Sequence, residues 1–172
     1  MGRKAIFITA ALTAVIGFSS YALAEGSASA TLKNADGTEI GTAKLTETPN
    51  GVLIALDVSG IPAGVHAFHI HAVGKCEGPD FKSAGPHFNP DDAKHGIMSQ
   101  QGPHAGDMPN LEIPADGKLQ VEVLNTLIRL KGENAVLDED GAAIVVHAKA
   151  DDYKTDPAGD AGDRIACGVI AQ

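Results

Sequence analysis

The chain has little positive charge, with 13 Lys and Arg against 22 Asp and Glu among its 172 residues. Two of the basic residues, Arg3 and Lys4, lie near the amino terminus. Residues 25–172 therefore keep 11 basic and all 22 acidic residues, a formal net charge of −11. Nucleic-acid binding depends on clustered Lys and Arg that neutralise phosphates. The composition argues against nucleic acid as a partner.

A hydrophobic run long enough to span a bilayer is also missing. The apolar stretch over residues 5–18 is shorter than the ~20 residues that a transmembrane helix needs. It follows Arg3 and Lys4, and Ala22 and Ala24 supply small side chains at positions −3 and −1 before Glu25. This pattern is typical of a signal peptide that is cleaved before Glu25.

The sequence thus predicts an exported protein with a removed signal peptide (residues 1–24) and a single domain (residues 25–172), long enough for a sizeable core. No cysteine lies near the predicted cleavage site, so a lipid anchor lacks its attachment residue. We expect no membrane anchor.

Cysteine is scarce: Cys76 and Cys167 are the two in the chain. In an oxidising compartment, one intramolecular disulfide is the simplest interpretation. It would close a loop of about 90 residues, which chain-entropy models associate with ~4–5 kcal/mol of stabilisation, less any strain. Metal binding by these cysteines remains an alternative, although neither has the spacing of a cysteine ligand pair.

Helix signals are few, and strand signals are frequent. Runs of alternating or apolar residues, separated by turns such as Asn34–Gly37 and Asn50–Gly51, predict eight short strands. They cover residues 27–33, 38–46, 52–58, 65–71, 118–124, 128–130, 142–147 and 165–170. We therefore expect an all-β fold, an eight-stranded antiparallel Greek-key sandwich or barrel.

Two stretches, residues 72–111 and 149–164, are long and rich in Gly, Pro and charge. Long ordered loops in compact domains are usually functional. All seven histidines lie between residues 66 and 147, in these loops or at strand ends. His69 and His71 flank Ile70, so on a strand both imidazoles share one face. Because imidazole is the commonest protein ligand for zinc and copper, the pattern predicts a two-metal site.

Six segments occur in a characteristic order: HAFHIH (66–71), SAGPHFNP (83–90), KHG (94–96), HAGDMPNL (104–111), VVHAKAD (145–151) and GDRIACGVI (162–170). On these segments the chain resembles the bacterial exported, periplasmic copper/zinc superoxide dismutases, over nearly all of residues 25–172. The resemblance implies that copper is bound by His69, His71, His87 and His147. It implies that zinc is bound by His87, His95, His104 and Asp107. His87 would then bridge the two ions.

The resemblance also implies roles around the metals. Asp151 would accept hydrogen bonds from the non-ligating nitrogens of His69 and His95, and His66 would pack beneath the site without binding metal. Arg164 would hold the anionic substrate beside copper, and His87 would be catalytic by carrying a proton. Because the net charge is negative, local positive charge must attract the substrate. Candidate contributors to that charge are Lys82, Lys149 and Lys154.

The implied function is dismutation of superoxide to oxygen and hydrogen peroxide by a Cu(II)/Cu(I) cycle, which would protect the cell envelope. The implied cofactors are one copper and one zinc per subunit, and the implied location is a bacterial periplasm. The alternative is a non-catalytic periplasmic copper/zinc carrier on the same fold. Monomer and homodimer both remain open.

Overall fold

The computed structural model describes Met1 and residues 26–172. Apart from Met1, the predicted signal peptide (residues 1–24) and its cleavage site before Glu25 lie outside the described residues. Within the described part of the chain, no helix is long and apolar enough to cross a membrane.

The regular structure of residues 26–172 consists of nine strands and one short 3-10 helix. The strands are β1 (Ser27–Asn34), β2 (Glu39–Thr48), β3 (Gly51–Ser59), β4 (Gly64–His66), β5 (Phe68–His71), β6 (Leu111–Ile113), β7 (Lys118–Asn125), β8 (Ala143–His147) and β9 (Arg164–Val169). The 3-10 helix covers Lys82–Ala84. All pairs of these strands are antiparallel, which confirms the predicted fold class.

Seven strands form one sheet in the order β5-β8-β9-β1-β2-β3-β7, and β4 pairs with β6 in a second, small sheet. Only Ala67 separates β4 from β5, and residues 114–117 separate β6 from β7. The small sheet therefore connects the two edges of the large sheet, which curls into a partly closed barrel. Strands β1 to β3 follow one another as hairpins while later strands flank them on both sides, as in a Greek key.

The β1–β2 hairpin shows how the sequence pattern produces a strand pair. In β1 the buried residues alternate with exposed ones, and Ala28, Ala30 and Leu32 enter the core. The turn is closed by the Asn34 side chain, whose Oδ1 accepts from the backbone N of Asp36 (3.1 Å) and Thr38 (2.9 Å). Gly37 has φ 80°, a conformation that glycine adopts without strain. The predicted hairpin is confirmed.

Three details of the predicted strands are wrong. The single strand expected over residues 65–71 is divided at Ala67, because Ala67 hydrogen-bonds Lys149 and His147 instead of continuing either sheet. Residues 128–130 form only an isolated bridge, and the backbone N of Leu130 donates to the Glu47 carboxylate. Leu111, the last residue of the stretch expected to be irregular, begins β6 (Leu111–Ile113), for which the sequence pattern predicts no strand.

Strands β5 and β8 are buried on both faces, so the histidines that they carry are buried as well. Ile70 packs into the main core, so His69 and His71 lie on the opposite face. That face is covered by a second apolar cluster, which contains Phe81 and Ala84 from the loop after β5. The metal-ligand candidates are therefore enclosed between the sheet and its long loops.

The loop that precedes β6 runs alongside β5. Phe88 N donates to Ile70 O (2.8 Å), and Ile70 N donates to Gly106 O (2.9 Å). A Cβ atom at position 106 would overlap the Ile70 carbonyl oxygen, so glycine permits this close approach. As a result, His87 forms an isolated backbone β-bridge with His71, and Asp107 forms one with His69.

Candidate metal centre

Four histidines converge on one face of the antiparallel strand pair β5–β8. His69 and His71 come from β5, His147 ends β8, and His87 comes from the adjoining loop. All four are buried, and their candidate donor atoms lie within 4.8 Å of one another. We call this set the four-histidine group. The structure thus brings together the four residues that the sequence resemblance assigns to copper.

The hydrogen bonds of this group direct free nitrogen lone pairs towards its centre. Nδ1 of His71 donates to Gly85 O (2.8 Å) and Nδ1 of His147 to Gly162 O (3.3 Å), which leaves each Nε2 unprotonated. These two Nε2 atoms are 3.3 Å apart. Among the described residues, the buried His69 Nδ1 and His87 Nε2 have no hydrogen-bond partner. Buried polar atoms are normally satisfied, so these two unpartnered nitrogens, together with the two unprotonated Nε2 atoms, fit a metal cation.

A second group surrounds the carboxylate of Asp107. Its Oδ1 lies 2.9 Å from His87 Nδ1, 3.1 Å from His95 Nδ1 and 3.4 Å from His104 Nδ1. Its Oδ2 accepts from the backbone N of Gly96 (2.8 Å) and His104 (3.0 Å). One carboxylate oxygen is thus fixed by the loop backbone while the other faces three imidazoles. We call this set the Asp107 group, and it is also buried.

His87 belongs to both groups. Its Nδ1 faces Asp107, and its Nε2 faces the four-histidine group. A neutral imidazole carries one proton on one nitrogen, whereas a ring that serves two cations must lose it. The geometry therefore allows two ions to share this ring.

Asp151 connects the two groups through hydrogen bonds to one histidine of each. Its Oδ2 accepts from His69 Nε2 (2.7 Å) and its Oδ1 from His95 Nε2 (3.0 Å), and Asp151 is 4% exposed. Such carboxylate partners fix the orientation of ligand rings and raise their basicity. The contacts agree with the role that the sequence resemblance implies for Asp151.

Burial keeps His69, His71 and His147 neutral. It lowers the pKa of His69 to about 4, that of His147 to about 3 and that of His71 to about 2. Neutral imidazole is the form that binds metals, so these side chains need not release protons near pH 7.

The Asp107 group has a different charge. Burial would raise the pKa of Asp107, but hydrogen bonds from His87, His95 and Gly96 hold it well below its usual range. Burial would lower the pKa of His95, but the hydrogen bonds to Asp107 and Asp151 raise it to about 9. Without metal, a protonated His95 therefore balances an ionised Asp107.

Arg164 is half-buried next to the four-histidine group. Its guanidinium donates to Phe81 O and Gly85 O, both at 2.7 Å. Gly85 O also accepts from His71, so one carbonyl joins the arginine to that group. Arg164 lines an open cavity of about 520 Å³ together with Pro79, Asp80, Lys82, Gly162 and Asp163. A permanently charged planar fork in such a cavity suits a small anion.

Of the three lysines expected to attract substrate, Lys82 lines this cavity, and Lys149 and Lys154 do not. Lys82 lies 2.8 Å from Asp80, and both side chains are exposed. Because Asp80 and Asp163 offset Lys82 and Arg164, the formal charge of the cavity lining is balanced. The positive charge that faces inward is that of Arg164.

Cys76 and Cys167 form the predicted disulfide, with Cα atoms 5.6 Å apart. This excludes the alternative in which the cysteines bind metal. The bridge joins the loop after β5 to β9. That loop contains Phe81 and Gly85, the two carbonyl partners of Arg164.

His66 lies outside both groups. Its Nδ1 is 2.8 Å from His147 O, and its Nε2 is 2.9 Å from Pro62 O. Both ring nitrogens therefore contact backbone carbonyls, in agreement with the packing role expected from the sequence.

Three residues around the site had no clear signal in the sequence. Asp156 accepts from the backbone N of His95 (2.9 Å). Gly159 lies against the carboxylate of Asp151, and the side chain of Asn110 pairs with the backbone of Asp151. Polar residues and glycines are common in loops, so spacing alone could not separate these from their neighbours.

An antiparallel β fold with two buried donor groups that share one histidine defines a binuclear metalloprotein. Comparison with known proteins gives its family. The family model described as copper/zinc superoxide dismutase matches residues 39–170. The chain belongs to the copper/zinc superoxide dismutase family.

Bacterial relatives and a solved structure agree. The chain is 51% identical over 144 residues to copper-zinc superoxide dismutase 1 of Aquifex aeolicus (strain VF5), covering 82% of this chain and 85% of the relative. It is 46% identical over 148 residues to the copper-zinc superoxide dismutase of Caulobacter vibrioides, covering 84% and 85%. The crystal structure of a double mutant of a SOD-like protein from Bacillus subtilis matches with a TM-score of 0.81 at 41% identity, covering 84% and 97%.

Proposed function

We propose that the protein converts superoxide to oxygen and hydrogen peroxide (2 O2•− + 2 H+ → O2 + H2O2) at a copper ion next to a zinc ion. The observation that carries this proposal is the pair of buried donor groups that share His87. Membership of the copper/zinc superoxide dismutase family supports the same activity and the same two metals.

The two donor sets suit different metals. Four imidazoles and no carboxylate, from His69, His71, His87 and His147, fit Cu(II), which favours nitrogen ligands. Three imidazoles and one carboxylate, from His87, His95, His104 and Asp107, fit tetrahedral zinc. Copper, when bound, supplies a one-electron redox couple, and zinc supplies fixed positive charge and holds its loop.

Arg164 binds and orients the anion. Two of the five N–H donors of its guanidinium are used by Phe81 O and Gly85 O, which fixes the plane of the fork. The remaining donors are available to a superoxide ion in the cavity beside the four-histidine group. Because the guanidinium stays charged at physiological pH, it attracts the substrate in both halves of the reaction.

His87 is the proton-carrying residue in this proposal. Its Nε2 faces the four-histidine group, and its Nδ1 stays against Asp107. A proton held on Nε2 is positioned to reach the peroxide product, and the second proton comes from water. Asp107 and the zinc position keep the ring in place during this transfer.

The alternative of a non-catalytic metal carrier is not favoured. The four-histidine group is complete, and Arg164 lines a cavity beside it. A carrier has no need of an anion-binding arginine, and the Aquifex aeolicus and Caulobacter vibrioides relatives are named superoxide dismutases.

We further propose that residues 1–24 are a signal peptide, that residues 25–172 form the mature domain, and that the protein works in the periplasm. The disulfide supports an exported protein, because such bonds persist in oxidising compartments. Mass measurement of the protein recovered from the periplasm tests this proposal. A mass for residues 25–172 is expected, and a full-length cytoplasmic protein would contradict it.

Metal analysis of two variants tests the assignment of the groups. His71→Ala should lose copper and activity and keep zinc, whereas His104→Ala should lose zinc first. Equal loss of both metals in both variants would show that the two groups do not act as separate sites.

A further inference from the structure

Asn110 connects the loop that carries the Asp107 group to the loop that carries Asp151. It lies directly before β6 and is half-buried. Its Oδ1 accepts from the backbone N of Asp151 at 2.8 Å, and its Nδ2 donates to the backbone O of Asp151 at 2.9 Å. The Asn110 amide therefore hydrogen-bonds both the backbone N–H and the backbone C=O of Asp151.

The side chain of Asp151 is also held by hydrogen bonds. Asp151 Oδ1 accepts from His95 Nε2 (3.0 Å) and from Tyr153 N (2.6 Å), and Oδ2 accepts from His69 Nε2 (2.7 Å). A carboxylate can meet two rings at once only if its backbone is placed correctly. Asn110 supplies that placement from the opposite loop.

Asparagine suits this position chemically. Its planar amide has a donor and an acceptor side by side, which match the C=O and N–H of a single extended residue. Aspartate could accept from Asp151 N but would place an oxygen against Asp151 O. Leucine has a similar shape and could form neither bond.

We propose that Asn110 is a positioning residue that holds Asp151 in place and thereby sets the affinity of both metal sites. This inference rests on the metal assignments of the proposed function. Asp151 contacts His69 of the four-histidine group and His95 of the Asp107 group. A change at Asn110 should therefore affect both metals, although the side-chain hydrogen bonds of Asn110 go to the backbone of Asp151 and not to a ligand.

Asn89 provides a matched control within the same protein. Its Nδ2 donates to Ala93 O (2.9 Å) and its Oδ1 accepts from Ala93 N (3.0 Å), so it makes the same pair of bonds and is also half-buried. The residue it binds, Ala93, makes no hydrogen bond to Asp151 within the described part of the chain. Comparison of the two asparagines separates loop stability from the positioning of Asp151.

The experiment measures two metal affinities. The affinity for Co²⁺ at the zinc position is measured by visible absorption against a competing chelator. The affinity for Cu²⁺ is measured together with the electron paramagnetic resonance spectrum of the bound Cu²⁺. The variants are Asn110→Leu, Asn110→Asp and Asn89→Leu, in the metal-free mature protein, with urea denaturation of each. Loss of an outer partner typically lowers metal affinity by about 10- to 100-fold. We expect a decrease of about tenfold for both metals in Asn110→Leu. We expect a smaller decrease in Asn110→Asp, and unchanged Cu²⁺ affinity and spectrum in Asn89→Leu.

Unchanged affinities for both metals in Asn110→Leu, or an equal effect on Cu²⁺ in Asn89→Leu, would overturn the proposal. If Asn110→Leu does not fold, Asn110→Asp decides the question on the same criteria. Failure of the unmodified protein to bind Co²⁺ with a tetrahedral spectrum would instead contradict the zinc assignment, which is a separate result.

Discussion

His69 donates a hydrogen bond from Nε2 to the carboxylate of Asp151 at 2.7 Å, and both side chains are buried. The second oxygen of the same carboxylate accepts from His95. One acidic group therefore orients a ligand candidate for each of the two metals, so its removal has consequences at both.

Asp151→Ala should weaken both metal sites. Alanine has no acceptor, so His69 and His95 both lose their hydrogen-bond partner. We expect affinity for each metal to fall by about 10- to 100-fold. Chelator competition measures this, with the exposed neighbour substitution Asp152→Ala as the control. Loss of affinity for one metal alone would contradict the joint role.

Gly159→Ala should damage the same contact through sterics. A Cβ at position 159 would overlap the Asp151 carboxylate and lie 2.8 Å from His95 Nε2, and Gly159 has φ 65°. Gly37→Ala is a matched control, because Gly37 has φ 80° and nothing within 4 Å of its Cβ position. Both variants bear the backbone cost, about 1 kcal/mol in urea denaturation. Only Gly159→Ala is expected to lose zinc affinity, and equal zinc affinities would contradict this account.

Arg164→Lys should lower the rate of dismutation and leave the metal content unchanged. Lysine keeps the positive charge but has no planar guanidinium, so it cannot hydrogen-bond Phe81 O, Gly85 O and an anion at the same time in the way that Arg164 can. We expect the rate to fall by roughly tenfold or more, within the range attributed to electrostatic focusing. Arg129→Lys, at the arginine 3.7 Å from Glu47, is the control and should have the normal rate. A normal rate in Arg164→Lys would remove Arg164 from the mechanism.

Removal of the disulfide by Cys76→Ser with Cys167→Ser should destabilise the fold. The bond closes a loop with a sequence separation of 91 residues, and losses of ~2–5 kcal/mol are typical of native disulfides. Urea denaturation at fixed metal loading measures the change. An unchanged midpoint would show that the metals alone hold the loop after β5.

The metal-free protein should be most stable near pH 6.5. The folded-state pKa values of His69, His71 and His147 lie below the ordinary 6.5, so the unfolded chain takes up more protons as the pH falls. Stability is therefore lost from pH 6.5 downwards. His95 acts in the opposite sense: its folded-state pKa is raised to about 9, so the stability that it contributes below pH 6.5 is lost as the pH rises from 6.5 to about 9.

Urea denaturation of the metal-free protein at several pH values from about pH 4 to pH 9 tests the prediction. His147→Gln removes one of the three groups and should make the acid slope shallower. A stability that is flat from pH 7 to pH 4 would contradict the neutral, buried state of these rings.

Alternation in residues 27–33 and the spacing of His69 and His71 predict strands correctly, because side-chain period and burial coincide there. The division of residues 65–71 at Ala67 depends on hydrogen bonds to Lys149 and His147, which are distant in the chain. Strand β6 depends likewise on pairing with β4.

The candidate ligands could be predicted because histidine is rare and its motifs are distinctive. Asn110 and Gly159 could not, since their importance comes from contacts with Asp151 that no local pattern encodes.

The most direct test is the rate of superoxide consumption by residues 25–172 loaded with copper and zinc, measured after a pulse of superoxide. We expect a copper-dependent rate near the diffusion limit, as is known for superoxide dismutases. We also expect the rate to be lost when copper is removed and zinc is retained. Tight binding of both metals without turnover would contradict the enzymatic function and favour a metal carrier.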